Sequence, residues 1–376
     1  MNHALKLFPT VSILLAVLSI CAVAQSPGAT PTPEDPLRIP TEEVHLTISA
    51  RGPYEGITPK LRPEDLTIYE DGVSQTITSL RSMPAHVLIL LDTGAALTFA
   101  KNHDVTTAIA QVALKNLPDG SFVSIAQYSD GAATIVPWTA ERNQAMIGLS
   151  RLIKTGRRSL LRTGLDHSVK SFVSRPIENR HLILITDGLD GPGAISSESP
   201  EFSQLGRANV VVHILSYSTI EKDGAERAGK TVRLNTRPSK PRVSKEILDE
   251  MVLGLPAVVK ERLKMMNEAR QIIIVDLDAE RRKMLRTRRE EWEEGEERLR
   301  RLADETGGDF LAPSDVREFL VGAAEIARSI GSHYDVTYMP ARTISESGPS
   351  LPRAISVVGR SESLKLRTRK TLTVQK

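Results

Sequence analysis

The sequence predicts an α/β fold built on a doubly wound, mostly parallel sheet, and three observations predict it. Between residues 86 and 217 the apolar runs "VLILLD", "SFVSIAQY", "AATIVPW", "HLILITD" and "NVVVHILSY" follow one another. Helical patterns lie between several of them, clearest at "DVTTAIAQVALKNL", "RNQAMIGLSRLI" and "TGLDHSVKSFVS". Continuously apolar strands alternating with helices indicate a sheet covered on both faces. Finally, two of the runs close on an acid, Asp92 and Asp187. The short link in "SFVSIAQYSDGAATIVPW" predicts a hairpin, hence one antiparallel edge strand.

Around this unit the chain of 376 residues divides into further parts. Residues 1–24 have a lysine, an apolar core from Val11 to Ile20 and the small-x-small pattern Ala22-Val23-Ala24, which predicts a secretory signal. The apolar core is too short for the ~20 residues a membrane span requires, so no transmembrane anchor is expected after cleavage, and the protein is expected to be exported to the periplasm or the extracellular space. Cys21, the one cysteine, would leave with the signal, and no disulfide or thiol chemistry is then expected. Residues 25–41 are Pro-rich and without periodicity, which suits an extended linker.

Residues 42–83 form an N-terminal β segment. "VHLTISA" alternates apolar and polar residues, and "LTIYEDGVSQTITSL" predicts a hairpin turning at Asp71-Gly72. One strand and one hairpin bury too little to stand alone, so the segment is expected to lean on later parts of the chain. The α/β unit is expected to cover 84–217 and 297–340. Between its parts, 218–296 is an insertion, polar loop up to about Arg242 and then a helical charged stretch. In that stretch Leu285, Trp292 and Leu299 are spaced as one buried stripe on a solvated helix, while Arg288 and Gly295 occupy the positions a coiled-coil seam would need. A C-terminal β tail, 341–376, ends the chain.

Lys plus Arg number 49 against 46 Asp plus Glu, a balance that argues against nucleic acid as partner. The sequence contains no GxSxG or HExxH motif. His167, His181 and His213 show no metal-ligand spacing and are expected to be structural. In doubly wound sheets, ligands bind beyond the carboxyl ends of strands where the winding reverses. If the first and fourth strands are neighbours there, Asp92 and Asp187 share one cleft. Two facing acids need a cation, a proton or donors between them, and hydroxyl-rich turns would suit Mg²⁺. The plainer reading is that Asp92 caps the next helix or takes donors from the Gly94 turn, with Asp187 and Asp190 holding their own loop.

Three stretches, "LRPEDLTIYEDGVSQTITSL", "VLILLDTGAAL" and "LILITDGLD", together with "LRRLADETGGDFLAP" and "EIARSIGSHYDVTYMP", resemble von Willebrand factor type A (VWFA) proteins, in particular the VWFA-related proteins of acidobacterial genomes. The resemblance implies a VWA/Rossmann-like fold and a protein-binding, adhesion-type function. It also implies a metal-ion-dependent adhesion site, in which an Asp, two Ser, a Thr and a second Asp hold a cation that engages an acidic group on the partner. Carried over, Asp92 and Asp187 match. Gly94 and Ala96 stand where the serines belong, and the second-loop hydroxyl falls on Ser159 or, alternatively, on Thr163. The expectation is therefore a degenerate site with no metal or weakly bound Mg²⁺ or Mn²⁺, on a non-catalytic module binding an unknown protein partner. One alternative is a metal-free structural envelope protein that binds through the β segment or the insertion. A more distant one is an aspartate-nucleophile hydrolase, which would need a second Asp where Gly94 stands.

Overall fold

The computed structural model describes residues 43–52, 60–94, 103–152, 154–189, 200–229, 243, 245–268, 279–342 and 352–372. The signal and linker expectations (1–24, 25–41), Ala96 and Asp190 lie outside these residues. No helix among the described residues is long and apolar enough to cross a membrane.

The described residues belong to one compact unit containing two sheets. The first has six strands in the order β6-β5-β4-β7-β8-β9: β4 (His86–Asp92), β5 (Phe122–Tyr128), β6 (Ala132–Thr139), β7 (Arg180–Thr186), β8 (Val210–Ser216) and β9 (Phe310–Leu311). All pairings are parallel except that of β5 with β6, the expected edge hairpin. Every residue of β4, β7 and β8 is buried, which explains why these strands run apolar instead of alternating. Along β4, Val87, Ile89 and Leu91 face helices α1 (His103–Asn116), α2 (Arg142–Leu152) and α9 (Val316–Ser329). Leu88 and Leu90 face α3 (Leu161–Phe172), α4 (Pro200–Arg207) and the last turns of α8 (Ala279–Thr306).

The second sheet is antiparallel throughout, in the order β12-β1-β10-β3-β2-β11-β13. It contains β1 (Val44–Arg51), β2 (Leu66–Glu70), β3 (Val73–Arg81), β10 (His333–Met339), β11 (Arg353–Gly359), β12 (Lys365–Arg367) and β13 (Thr371–Leu372). The β2–β3 turn uses Asp71 and Gly72 at φ 50° and 81°, as its sequence requires. The N-terminal segment does lean on later chain, and the C-terminal strands complete its sheet. One strand differs from expectation. β10, placed by sequence with the α/β unit, lies between β1 and β3, because its alternate residues Tyr334, Val336 and Tyr338 fill the core made by Leu46, Ile48 and Ile68.

The sequence predicts loop for residues 218–242, yet Ser218–Gly229 is helix α5. Its polar surface conceals the tertiary contacts that hold it: Ser218 Oγ and Lys222 Nζ both donate to Glu296 Oε2 of α8, at 2.9 and 2.7 Å. Packing, more than propensity, sustains a helix of this length.

Where the sheet begins, His86 stacks on Phe122 with ring centroids 5.3 Å apart, and its Nδ1 accepts from the Arg175 guanidinium at 2.9 and 3.1 Å. Burial, then the positive charges of Arg175 and Arg180, lower its pKa to about 4. The imidazole is therefore neutral in the fold but titrates at about 6.5 once unfolded. Because the unfolded chain binds the extra proton, stability falls as pH drops from about 6.5 to about 4, by up to about 3 kcal/mol from this residue. Denaturant melts across that range are expected to show a shallower acid loss for His86→Gln than for the unsubstituted chain.

Candidate functional site

β4 pairs with β7 so that Leu91 sits beside Ile185. Asp92 and the Thr186-Asp187 pair thus leave the sheet at the same rim, on adjacent strands. Both acids are buried, Asp92 at 1% and Asp187 at 4% exposure.

Among the described residues, the Gly94, Ser159 and Thr186 donors meet Asp92. The Gly94 amide donates to Oδ1 at 3.0 Å, the Ser159 hydroxyl also donates to Oδ1, and the Thr186 hydroxyl donates to Oδ2 at 3.2 Å. Thr186 Oγ1 in turn accepts from the Tyr128 hydroxyl at 2.7 Å and from the Gly188 amide at 3.0 Å. One hydroxyl proton and two lone pairs are thereby all used. Burial pushes the Tyr128 hydroxyl well above its usual pKa, and the nearby Asp92 charge adds to this, so Tyr128 stays protonated as the donor. Asp187 Oδ1 accepts from the Leu189 amide at 3.0 Å. Both acids therefore make the local turn bonds of the plainer reading.

Of the two second-loop candidates, Ser159 is the one whose oxygen bonds Asp92. Thr163 lies in the first turn of α3, its amide bonded to the Leu160 carbonyl at 3.0 Å. Gly94 is where the loops close on each other. A Cβ there would lie 2.4 Å from the Arg158 carbonyl oxygen and 2.8 Å from Ser159 Cα. Both obstacles are backbone, which no side-chain rotation can clear. The Gly156 amide fastens the same loop to the Thr93 carbonyl at 3.0 Å, and the Thr93 amide and hydroxyl both donate to the Tyr128 carbonyl. Position 94 has no room for a ligand hydroxyl, so the residues present do not fit the full cation-binding set that the resemblance implies. Outside this closed floor, Arg157 and Arg158 are exposed, with Arg158 Nε on Asp130 Oδ1 at 3.0 Å.

Sequence reasoning missed three contributors. Thr186 and Tyr128 are hidden inside apolar strands, although the hydroxyl just before Asp187 in "LILITD" was a visible signal. The third is Gly295. A Cβ on it would lie 2.6 Å from the Gly188 carbonyl oxygen, so helix α8 touches the backbone of the Asp187 loop. Trp292 and Leu285 pack on Leu189 beside this contact. The glycine that spoils a coiled-coil seam is what lets the helix press on the site.

Two substitutions test this geometry by chemical denaturation. Gly94→Ser is expected to destabilise by about 1–3 kcal/mol, the cost of overpacking, and to confer no Mg²⁺ binding. In Gly295→Ala the ~1 kcal/mol gain in helix propensity opposes a backbone clash of about 1–3 kcal/mol. A net loss is expected, and a stabilised variant would contradict the contact.

A family model for the von Willebrand factor type A domain matches residues 87–189. No curated protein matches the chain. Similar solved structures include proximal thread matrix protein 1 from the mussel byssus, 20% identical over 36% of this chain, TM-score 0.32; the chain spans 38% of that protein's length. The conserved hypothetical protein BatB from Bacteroides thetaiotaomicron is 14% identical over 65% of this chain and 98% of its own, TM-score 0.36. A von Willebrand factor type A protein from Catenulispora acidiphila is 11% identical over 90% of this chain and 75% of its own, TM-score 0.38. The two terminal acids stand at adjacent parallel strand ends, and the match to the von Willebrand factor type A domain, over residues 87–189, spans both.

Proposed function

We propose that the chain is an exported, non-catalytic protein-interaction module of the adhesion type. Its metal-ion-dependent adhesion site is degenerate, and it engages an acidic group of its partner without a bridging cation. The observation that carries this reading is the closure of the Arg158–Ser159 backbone on Gly94. It leaves Asp92, Ser159 and Asp187 as the candidate metal ligands, with the Asp92 carboxylate already served by three protein donors. Hydrogen bonds to a charged acceptor are worth about 1.5–3 kcal/mol each, so a cation gains little from displacing them. In its place the rim offers Arg157 and Arg158, exposed on the loop that covers Asp92. A guanidinium fork matches a carboxylate bidentately and so supplies the positive charge an acidic partner needs.

The non-catalytic part of the proposal has the same support. An aspartate-nucleophile mechanism needs an acid/base carboxylate at position 94, which is glycine and has backbone against it.

Immobilised full-length protein, challenged with envelope extract, tests the proposal. Capture is expected to be indifferent to added Mg²⁺ or Mn²⁺ and to fall at least tenfold in Arg157→Glu/Arg158→Glu, since facing like charges cost several kcal/mol. Capture that requires either cation and disappears in Asp92→Asn would overturn the metal-free reading.

A further inference from the structure

At the opposite end of the parallel sheet, three buried histidines from separate strands meet. His181 is the second residue of β7, His213 lies mid-way along β8, and His333 begins β10 of the other sheet. Their exposures are 0%, 0% and 2%. One nitrogen from each lies within 4.8 Å of the other two. His181 Nδ1 and His213 Nε2 are 3.2 Å apart, and His181 and His333 are edge to face with ring centroids 4.6 Å apart.

The outer nitrogens decide which way the lone pairs point. His181 Nε2 is 2.8 Å from the Asn179 side-chain carbonyl, and His333 Nδ1 is 2.9 Å from the Ser329 carbonyl. His213 Nδ1 faces Asp309 Oδ2 at 3.5 Å. His181 Nε2 and His333 Nδ1 thus each have an acceptor to hold a proton, and a proton on His213 Nδ1 would face Asp309 Oδ2; with all three so placed, His181 Nδ1, His213 Nε2 and His333 Nε2 turn toward one another as bare acceptors. His333 Nε2 has no hydrogen-bond partner. Three converging lone pairs without a donor repel, and a buried polar atom left unpaired costs about 1–3 kcal/mol. A cation at their centre removes both penalties.

We propose that His181, His213 and His333 bind one Zn²⁺-class ion, which pins β10 of the antiparallel sheet to β7 and β8 of the α/β layer. Zn–N bonds of about 2.0–2.1 Å in tetrahedral geometry place neighbouring nitrogens about 3.3–3.4 Å apart, close to the 3.2 Å separation already present. Neutral imidazoles select zinc, copper or nickel over magnesium and calcium, so this site differs in ion class from the one around Asp92. The pattern of backbone carbonyl, side-chain amide and carboxylate behind the three rings is what orients histidine ligands on a metal. A tetrahedral ion held by three histidines would leave its fourth position to water. The competing arrangement is metal-free: His213 Nε2–H donates to His181 while its Nδ1 accepts from the Asp309 amide at 3.3 Å. That arrangement still leaves His333 Nε2 unpaired.

The untagged full-length chain, stripped with chelator and equilibrated with Zn²⁺, is expected to retain one ion per chain after dialysis and to melt at higher temperature than the stripped form. His333→Gln and His213→Gln are expected to reduce retention at least tenfold, and Asp309→Asn to weaken affinity about 10–100-fold. Asp92→Asn should leave retention unchanged. Should the histidine variants fail to fold, Co²⁺ loaded into the unsubstituted chain decides: intense visible absorption from a four-coordinate ion supports the site. A stripped chain that retains no Zn²⁺, retention that survives His333→Gln, or weak six-coordinate Co²⁺ absorption overturns it.

Discussion

Strand β4 is buried on both faces between β5 and β7, and its parallel register with β7 carries Leu91 and Ile185 to the sheet's rim together. Parallel pairing is what brings Asp92 level with Thr186, and a slip of one residue would turn every side chain of β4 to the opposite face. The apolar sandwich around Leu88, Leu90, Val87 and Ile89 therefore fixes the position of the acid more firmly than any contact the acid makes itself. The donors at Gly94, Ser159 and Thr186 then set its orientation.

The result is a site with an unusual balance. The carboxylate is well served, while main chain stands against position 94, where the resemblance would put one of the hydroxyls. The filling is not accidental crowding. The Gly156 amide donates to the Thr93 carbonyl, and the Leu160 amide donates to the Ser129 carbonyl, so the second loop is stitched down on both sides of its contact with Gly94. On the other flank, α8 presses Gly295 on Gly188 and buries Trp292 against Leu189. The charged insertion thus ends as a buttress of the Asp187 loop.

Much of the α/β layer was legible because its strands and helices announce themselves by period: "VLILLD" and "HLILITD" as doubly buried strands, "TGLDHSVKSFVS" as an amphipathic helix. The edge hairpin was legible from a short link, and the β2–β3 turn from Asp71-Gly72. What escaped was set by contacts distant in sequence. β10 has the alternation of any half-buried strand, and nothing local says that Tyr334 and Tyr338 fill the antiparallel sheet's core. Helix α5 is mostly polar, and what holds it is Ile220 in the core together with the bonds to Glu296 of α8. Asp92 and Asp187 were visible as strand-end acids, whereas Tyr128 and Thr186 read as ordinary strand residues. His181, His213 and His333 have no spacing in common because each comes from a different strand.

The α/β layer is a long excursion from the antiparallel sheet, leaving it at the end of β3 and returning at the start of β10, and those two strands are hydrogen-bonded neighbours. Exit and re-entry thus lie at the same end of one ladder, where Arg81 faces Asp335. Mechanical load drawn through the excursion is concentrated on that terminal rung and peels the pair open sequentially, instead of shearing all of its rungs at once. Tension reaching the sheet by this route meets the weaker of the two geometries in which a β ladder can resist a pull.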